Sequence, residues 1–145
     1  MYRHILIPTD GSALSEQAIR QGVSLARTFG AGVTALTVSP TFHNFALDPA
    51  LVTATPERYE QDCQARGEKY LAAARVEAGI AGVPCETVHE MNDEPYQVII
   101  DTARARHCDL IVMASHGRRG MSALLLGSET SKVLTHCKIP VLVCR

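Results

Sequence analysis

Five short strand-like runs alternate with segments in which apolar residues recur at helical spacing, and this alternation restricts the fold more than any other feature. The strand-like runs occupy residues 5–7, 33–38, 85–88, 110–113 and 141–143, and the third of them is the weakest. The helical patterns begin at Leu14, at Pro56, at Pro95 and directly after Ser128. Strands that alternate with helices form parallel sheets through right-handed crossovers. The sequence therefore predicts an α/β fold, a single doubly wound domain (1–145) with a five-stranded parallel sheet and helices on both faces.

Glycine and serine residues predict several helix boundaries. Gly30 follows the last apolar position of the first helical pattern, and Gly79 follows that of the second. Glycine often ends helices because it adopts the left-handed conformation at low cost. Ser128 precedes the last helical pattern and can cap it through its hydroxyl. Residues 41–55 show no clear period, which is typical of a functional cover or of a variable surface loop.

Composition and charge exclude several classes of protein. Hydrophobic residues make up 46% of the chain, charged residues make up 20%, and the formal net charge is -1. This balance argues against binding to nucleic acid or to an acidic membrane surface, and no run reaches the ~20 apolar residues of a membrane helix. The five cysteines form no CxxC pair, and no signal-peptide pattern follows Met1. We therefore expect a cytoplasmic protein with reduced cysteines.

The loop at residues 114–128 is the strongest candidate for a ligand site. In open α/β sheets ligands bind beyond the carboxyl ends of the strands, where the strand order reverses. Of the loops in that position, this one combines glycines, adjacent arginines and the start of a helix. Gly117 and Gly127 are expected to adopt positive φ and to turn N–H groups inward, as in phosphate sites. Arg118 or Arg119 would add charge-assisted hydrogen bonds to the phosphate.

Standard nucleotide and hydrolase motifs do not describe this loop. A Walker A loop requires a second glycine before its lysine, and residues 127–132 lack it. A dinucleotide fingerprint requires three spaced glycines after the first strand, where residues 9–12 contain one. The Gly-x-Ser-x-Gly sequence of a hydrolase nucleophile is absent. The loop therefore indicates a phosphate site of another class.

Four stretches of the chain carry a family resemblance: 5–12 (ILIPTDGS), 110–120 (LIVMASHGRRG), 124–134 (LLLGSETSKVL) and 139–145 (IPVLVCR). Together they resemble the universal stress protein family. The family's nucleotide signature is Gly-x2-Gly-x9-Gly-Ser/Thr, which Gly117, Gly127 and Ser128 match, whereas Ala114 replaces the first glycine. The resemblance implies an adenine nucleotide alpha hydrolase-like, Rossmann-like fold. In that fold the first and fourth strands flank the switch point, so Asp10 and the glycine-rich loop would share one crevice.

The resemblance also implies the ligand and the residues that hold it. The bound nucleotide would be ATP, ADP or AMP, with or without Mg²⁺. No residue is assigned to coordinate the Mg²⁺. The implied binding residues are Pro8, Thr9 and Asp10 at the nucleoside, the Val38 backbone at adenine, Met113 and Ala114 at the ribose, Ser115 and His116 in the loop, and Gly117, Arg118, Gly127, Ser128, Glu129 and Thr130 around the phosphates. Alanine at position 114 costs about 1–2 kcal/mol if positive φ is required there, and is tolerated if it is not.

Simpler interpretations remain open for several of these residues. Asp10 is equally consistent with an Asx turn before the first helix. Ser115 and His116 are adjacent but are not expected to form a nucleophile and base pair. Tyr59 and Tyr70 are expected in the core. The remaining histidines (His4, His43, His89, His107 and His136) show no metal-ligand spacing.

Three functions fit the sequence, and the first is preferred. It is a stress-response protein regulated by an adenine nucleotide, with at most slow hydrolysis and no catalytic residue assigned. The second is an adenylylating enzyme, which would require a Ser-Gly-Gly-x-Asp-Ser loop that residues 8–12 do not provide. The third is a nucleotide-free dimer acting through protein contacts. A homodimer through the C-terminal strand, Val141–Cys144, is expected under the first and third functions because an edge strand has unpaired backbone groups.

Overall fold

Five parallel strands form one sheet in the computed structural model, which describes residues 1–45, 55–118 and 125–145. The strands are β1 (His4–Pro8), β2 (Gly32–Ser39), β3 (Cys85–Met91), β4 (Leu110–Ala114) and β5 (Val141–Cys144). Their order is β3-β2-β1-β4-β5, so the direction of winding reverses between β1 and β4. The predicted doubly wound parallel sheet is confirmed. Most of the segment 41–55, for which the sequence shows no clear period, lies outside the described residues.

Helices cover both faces of the sheet, as predicted. They are α1 (Ala13–Phe29), α2 (Phe42–Phe45), α3 (Pro56–Ala81), α4 (Pro95–Ala105) and α5 (Ser128–His136). The Ser12 hydroxyl caps α1 by accepting from the Ser15 N–H, and Gly30 ends the helix with φ 65°. None of these helices, within the described ranges, is long and apolar enough to cross a membrane.

Two predicted helix boundaries are wrong. Helix α3 does not end at Gly79 but continues to Ala81, and Gly82 ends it with φ 69°. A single glycine inside a long helix costs only about 1 kcal/mol, which packing of the rest of the helix offsets. Ser128 does not cap α5, because Gly127 occupies the N-cap position with extended backbone (φ -61°, ψ 153°) and Ser128 is the first helical residue.

The core consists of two apolar layers, one on each face of the sheet. Alternate residues along a strand point to opposite faces. Ile5 and Ile7 of β1 contribute to the layer beneath α1 and α3, whereas Leu6 contributes to the layer beneath α4 and α5. All five cysteines are free thiols, as expected. Burial raises the pKa of the Cys108 thiol to about 12, so this cysteine is a neutral core residue at physiological pH.

Candidate functional site

The loop from β1 to α1 is held rigidly at the carboxyl edge of the sheet. The Thr9 N–H donates to Leu36 O of β2 (2.8 Å). The Thr9 hydroxyl shares a hydrogen bond with the Ser15 hydroxyl (3.1 Å) and accepts from the Gly11 N–H (3.2 Å). Gly11 has φ 76°, a conformation that L side chains rarely adopt. These contacts fix the backbone on both sides of Asp10.

Asp10 joins the two loops that flank the switch point. Its Oδ1 accepts from the Ser12 N–H (3.0 Å), which forms an Asx turn before α1. Its Oδ2 accepts from the Arg118 N–H (2.8 Å), and Arg118 Nε donates to the Asp10 backbone oxygen (2.9 Å). Asp10 therefore forms the local turn and also contacts a residue 108 positions later in the chain.

The Asp10 carboxylate is ionised at neutral pH. Burial by itself would raise the pKa of this carboxyl, but hydrogen bonds from Ser12, from the Arg118 N–H and from Ser15 together hold the pKa below its ordinary value of 3.8. The crevice thus contains a fixed negative charge that accepts hydrogen bonds. Such a group suits recognition of a hydroxyl or amino donor.

The two signature glycines are required by close approach and not by backbone conformation. The prediction of positive φ is wrong: neither Gly117 nor Gly127 is among the described residues with positive φ. A Cβ at position 117 would lie 2.5 Å from Asp10 Oδ2. A Cβ at position 127 would lie 3.0 Å from both His116 Cα and Ser115 O, and the Gly127 N–H donates to Ser115 O (2.7 Å). A side chain at position 117 would therefore displace the Asp10 carboxylate, and one at position 127 would push on the Ser115–His116 backbone.

Ala114 is the last residue of β4 and carries no positive-φ strain. His107 is the one non-glycine residue with positive φ in the described part of the chain. The Ala114 carbonyl accepts from the Thr130 hydroxyl of α5 (2.9 Å), and the following Ser115 N–H donates to Cys144 O (2.7 Å). The backbone here is that of an ordinary parallel strand, so an alanine in the first signature position costs no conformational energy.

The start of α5 points toward the same edge of the sheet. The Ser131 N–H donates to Gly127 O, which leaves the N–H groups of the first turn without intrahelical partners. The Thr130 side chain is buried against β4, and Ser128 is exposed. The N-terminus of α5 therefore presents donors and partial positive charge.

Glu129 faces away from the glycine loop. Its Oε2 accepts from the Tyr96 N–H at the start of α4 (2.8 Å), and its Oε1 accepts from Lys132 Nζ (3.3 Å). The carboxylate thus satisfies one of the unpaired N–H groups of α4. Glu129 therefore links the start of α5 to the start of α4. Both of its carboxylate oxygens already have partners in the protein.

The Ser115 and His116 side chains contact each other, with 3.2 Å between Ser115 Oγ and His116 Nδ1. The Ser115 side chain is nevertheless buried, with 5% of the residue exposed. A buried hydroxyl cannot reach a substrate in the crevice without rearrangement of the loop. The contact therefore joins a buried hydroxyl to the ring of the adjacent residue. Arg119 and Gly120 lie outside the described residues.

The end of β2 lies beside the β1 loop, since the Thr9 N–H donates to Leu36 O, and Val38 in this part of β2 is half-buried. The following segment is held by the Tyr59 hydroxyl, which donates to Pro40 O (2.6 Å). Thr41 is also held, since its hydroxyl donates to Asp93 Oδ2 (2.7 Å). Tyr59 is 3% exposed and belongs to the core, as expected.

Tyr70 lies at the crevice and not in the core. It is only half-buried and lies at the mouth of the crevice, so the prediction that it packs in the core is wrong. Its ring packs against Gly11 so closely that no Cβ fits there. It lines a cleft of about 170 Å³ together with Thr9, Gly11, Glu16, Lys69, Ala73 and Arg118. Helical spacing showed that Tyr70 shares a face with core residues, but not that this face extends past the edge of the sheet.

The structure therefore places most of the expected binding residues around one edge. Those from β1, β4, the glycine loop and the start of α5 converge at the switch point. A larger cavity of about 340 Å³ lies elsewhere, between β3 and α4, and includes Glu90 and Asp101. No group of three metal-ligating side chains occurs within the described ranges.

Comparison with known proteins gives a family match over the whole chain. A profile of the universal stress protein family matches residues 1–145. Universal stress protein MJ0531 of Methanocaldococcus jannaschii is 31% identical over 150 residues, which cover all of this chain and 83% of that protein. Universal stress protein YxiE of Bacillus subtilis is 30% identical over 149 residues, which cover both chains completely.

Three solved structures share the fold. Hypothetical protein MJ0577 has a TM-score of 0.80 and 24% identity, with 99% of this chain and 96% of that chain covered. A universal stress protein in complex with cAMP has a TM-score of 0.70 and 21% identity, with 99% and 97% covered. The universal stress protein from Archaeoglobus fulgidus in complex with dAMP has a TM-score of 0.71 and 20% identity, with 99% and 98% covered.

Proposed function

The chain belongs to the universal stress protein family, and on this basis we propose that it binds an adenine nucleotide, ATP above all, in the crevice between β1 and β4. One observation carries the proposal: Gly117 and Gly127 occupy positions where a Cβ would collide with Asp10 and with the Ser115–His116 backbone. Glycine at these positions lets the loop after β4 approach both Asp10 and the start of α5, whose first-turn N–H groups have no intrahelical partners and are donors that suit a phosphate. The family neighbours in complex with cAMP and dAMP support an adenine nucleotide as the ligand.

The binding residues have separate roles in this proposal. Pro8, Thr9 and Asp10 border the nucleoside, with the ionised Asp10 accepting from a hydroxyl or amino group. The Val38 backbone meets adenine, and Met113 and Ala114 border the ribose. The residues around the phosphates are the loop residues Ser115, His116, Gly117 and Arg118, the helix N-terminus at Gly127, Ser128 and Thr130, and Glu129 through its support of α4. Any Mg²⁺ would be bound chiefly through the phosphates.

Nucleotide binding itself, with at most slow hydrolysis, is the proposed activity of this cytoplasmic protein in the stress response. Asp10 has a lowered pKa and already accepts two N–H bonds. A carboxylate of this kind favours recognition over proton abstraction, because a general base works best with a pKa near the operating pH.

The direct test is to identify what the protein carries. Freshly purified protein is denatured, released small molecules are identified by mass spectrometry, and the emptied protein is titrated with ATP, ADP and AMP in the presence of Mg²⁺. We expect an adenine nucleotide to be released and a thermal stabilisation on adding ATP. Absence of both would exclude nucleotide binding and favour a nucleotide-free dimer that acts through protein contacts.

Ala114 offers a finer test of the site. We expect Ala114→Gly to change ATP affinity by about tenfold or less, equivalent to about 1.4 kcal/mol. The physical reason is that Ala114 already has ordinary strand geometry, so glycine relieves no strain there. Calorimetric titration of both proteins gives the ratio. A gain far above tenfold would mean that the native methyl group obstructs the nucleotide.

We further propose that the protein forms a homodimer through β5 (Val141–Cys144). This strand is at one edge of the sheet. Ile111 N–H donates to Pro140 O, and Ser115 N–H donates to Cys144 O. Because strand residues alternate, Val141 and Val143 direct their backbone groups away from β4. Leu142 on the same strand is 39% exposed, which supports an apolar contact with a second copy.

Val143→Pro is expected to convert this dimer to a monomer. Proline removes the outward N–H of residue 143 and leaves the hydrogen bonds between β4 and β5 in place. Light scattering coupled to size-exclusion chromatography measures the mass. Val143→Ala is the matched control, since it shortens the same side chain, keeps the N–H and should remain dimeric. A Val143→Pro protein that stays dimeric would argue for another interface.

A further inference from the structure

Helix α3 contacts two loops and one strand near the carboxyl edge of the sheet. Its Tyr59 hydroxyl donates to Pro40 O after β2 (2.6 Å). Its Gly67 backbone lies against the ring of His89 in β3, where a Cβ would come within 2.9 Å of the ring. Its Tyr70 ring covers Gly11 after β1. The part of α3 from Tyr59 to Tyr70 therefore forms one wall of the edge at which the nucleotide is proposed to bind.

Tyr70 also contacts the loop on the other side of the switch point. The Arg118 guanidinium carbon lies 5.1 Å from the centroid of the Tyr70 ring. This is within the range of cation–π attraction. Arg118 Nε donates at the same time to the Asp10 backbone oxygen (2.9 Å). The guanidinium is therefore held from two sides, by an aromatic ring of α3 and by a carbonyl of the β1 loop.

We propose that Tyr70 is a positioning residue for the nucleotide: by holding the Arg118 guanidinium, it keeps the Arg118 N–H on the Asp10 carboxylate and Gly117 in its close approach to that carboxylate. This inference rests on the proposed nucleotide site and adds a residue outside the family signature. Gly117 and Arg118 are consecutive, so movement of Arg118 also displaces the glycine whose close approach to Asp10 shapes the crevice.

The ring of Tyr70, and not its hydroxyl, performs this role. The ring makes both contacts, one with Gly11 and one with Arg118. Tyr70→Phe keeps both contacts and is expected to bind ATP within about twofold of the wild type. Tyr70→Leu keeps apolar bulk and helix propensity but removes the aromatic face. Loss of one partly exposed cation–π contact should weaken ATP binding about two- to fivefold.

A double-mutant cycle separates positioning through Arg118 from a general structural effect. ATP affinity is measured by calorimetry for the wild type, Tyr70→Leu, Arg118→Gln and the double variant. If Tyr70 acts through Arg118, Tyr70→Leu weakens binding in the wild-type background and has almost no effect in the Arg118→Gln background. Tyr2→Leu is the control, because Tyr2 packs its ring edge-on against Phe29 at the end of α1 (5.5 Å between centroids) and should not affect affinity.

A second measurement is independent of the nucleotide. Amide hydrogen exchange at Arg118, followed by NMR in the nucleotide-free protein, reports the hydrogen bond to Asp10. We expect faster exchange in Tyr70→Leu and unchanged exchange in Tyr70→Phe and in Tyr2→Leu. Equal rates in wild type and Tyr70→Leu would overturn the inference even if the nucleotide data were ambiguous.

The outcomes distinguish this inference from the function on which it rests. If the wild type binds no adenine nucleotide, the proposed function fails and the positioning role fails with it. If the wild type binds ATP but Tyr70→Leu weakens binding equally with and without Arg118, only the positioning role is overturned. The positioning role is supported if Tyr70→Leu weakens ATP binding in the wild-type background but not in the Arg118→Gln background, and if it also speeds amide exchange at Arg118.

Discussion

Gly127→Val should weaken ATP binding at least about a hundredfold, equivalent to about 2.7 kcal/mol. A Cβ at this position lies 3.0 Å from His116 Cα and from Ser115 O, both of which belong to the backbone and cannot rotate away. The Gly127 N–H donates to Ser115 O (2.7 Å), so relief of the collision also lengthens this bond. The resulting shift moves the N-terminus of α5, and its donors no longer meet the phosphates. Calorimetric titration with ATP measures the loss.

Two further glycine variants make this prediction specific. Gly117→Ala places a Cβ 2.5 Å from Asp10 Oδ2 and should weaken binding as well, because it displaces the carboxylate. Gly79→Ala lies inside α3, where nothing is within 4 Å of the added Cβ. It should leave ATP affinity unchanged and stabilise the fold by about 0.5–1 kcal/mol. Wild-type affinity in Gly127→Val would show that the phosphates bind elsewhere.

Asp10→Asn is expected to weaken both ATP binding and the fold. An asparagine amide has one acceptor oxygen, so it cannot accept from the Ser12 and Arg118 N–H groups through both of its terminal atoms. Loss of one hydrogen bond to a charged group costs about 1–3 kcal/mol of stability. The two loops that flank the switch point are then no longer held together, and we expect ATP affinity to fall about tenfold or more. Urea unfolding and calorimetric titration measure the two effects.

The pH dependence of unfolding identifies the Asp10 contribution. The folded-state pKa of Asp10 is below its ordinary value of 3.8. Its stabilisation is therefore fully present above the unfolded-state pKa and is lost as the pH falls through the folded-state pKa. The stability difference between wild type and Asp10→Asn should be constant near neutrality and should shrink below about pH 3.8. A difference that grew in acid would contradict the lowered pKa.

Asp109→Asn is the matched control for Asp10→Asn. Asp109 also has a lowered pKa: burial raises it, and hydrogen bonds from the His4 and Arg3 N–H groups outweigh that effect. These bonds lie at the amino edge of the sheet, opposite the proposed site. Asp109→Asn should therefore show the same direction of pH dependence and unchanged ATP affinity. A loss of affinity in this variant would indicate that global stability, and not the Asp10 contact, controls binding.

The elements of the fold were predictable because each depends on local chemistry. A strand such as 110–113, apolar at every position, is typical of the interior of a parallel sheet, and β4 lies there between β1 and β5. The end of α1 at Gly30 was predictable for the same reason, since glycine adopts the left-handed conformation without strain. The end of α3 was not, because glycine commonly ends helices and the sequence offers both Gly79 and Gly82 within the same turn.

The sequence by itself determined the alternation of strands and helices, the family, and the residues that meet at the switch point. Only the tertiary structure decided which contacts each of those side chains makes and why each position has its residue type. Gly117 is small because Asp10 lies against it, Glu129 faces Tyr96, and Tyr70 holds Arg118. The physical reason is distance along the chain: periodicity reports which face of an element is buried, whereas these contacts join segments that only the folded sheet brings together.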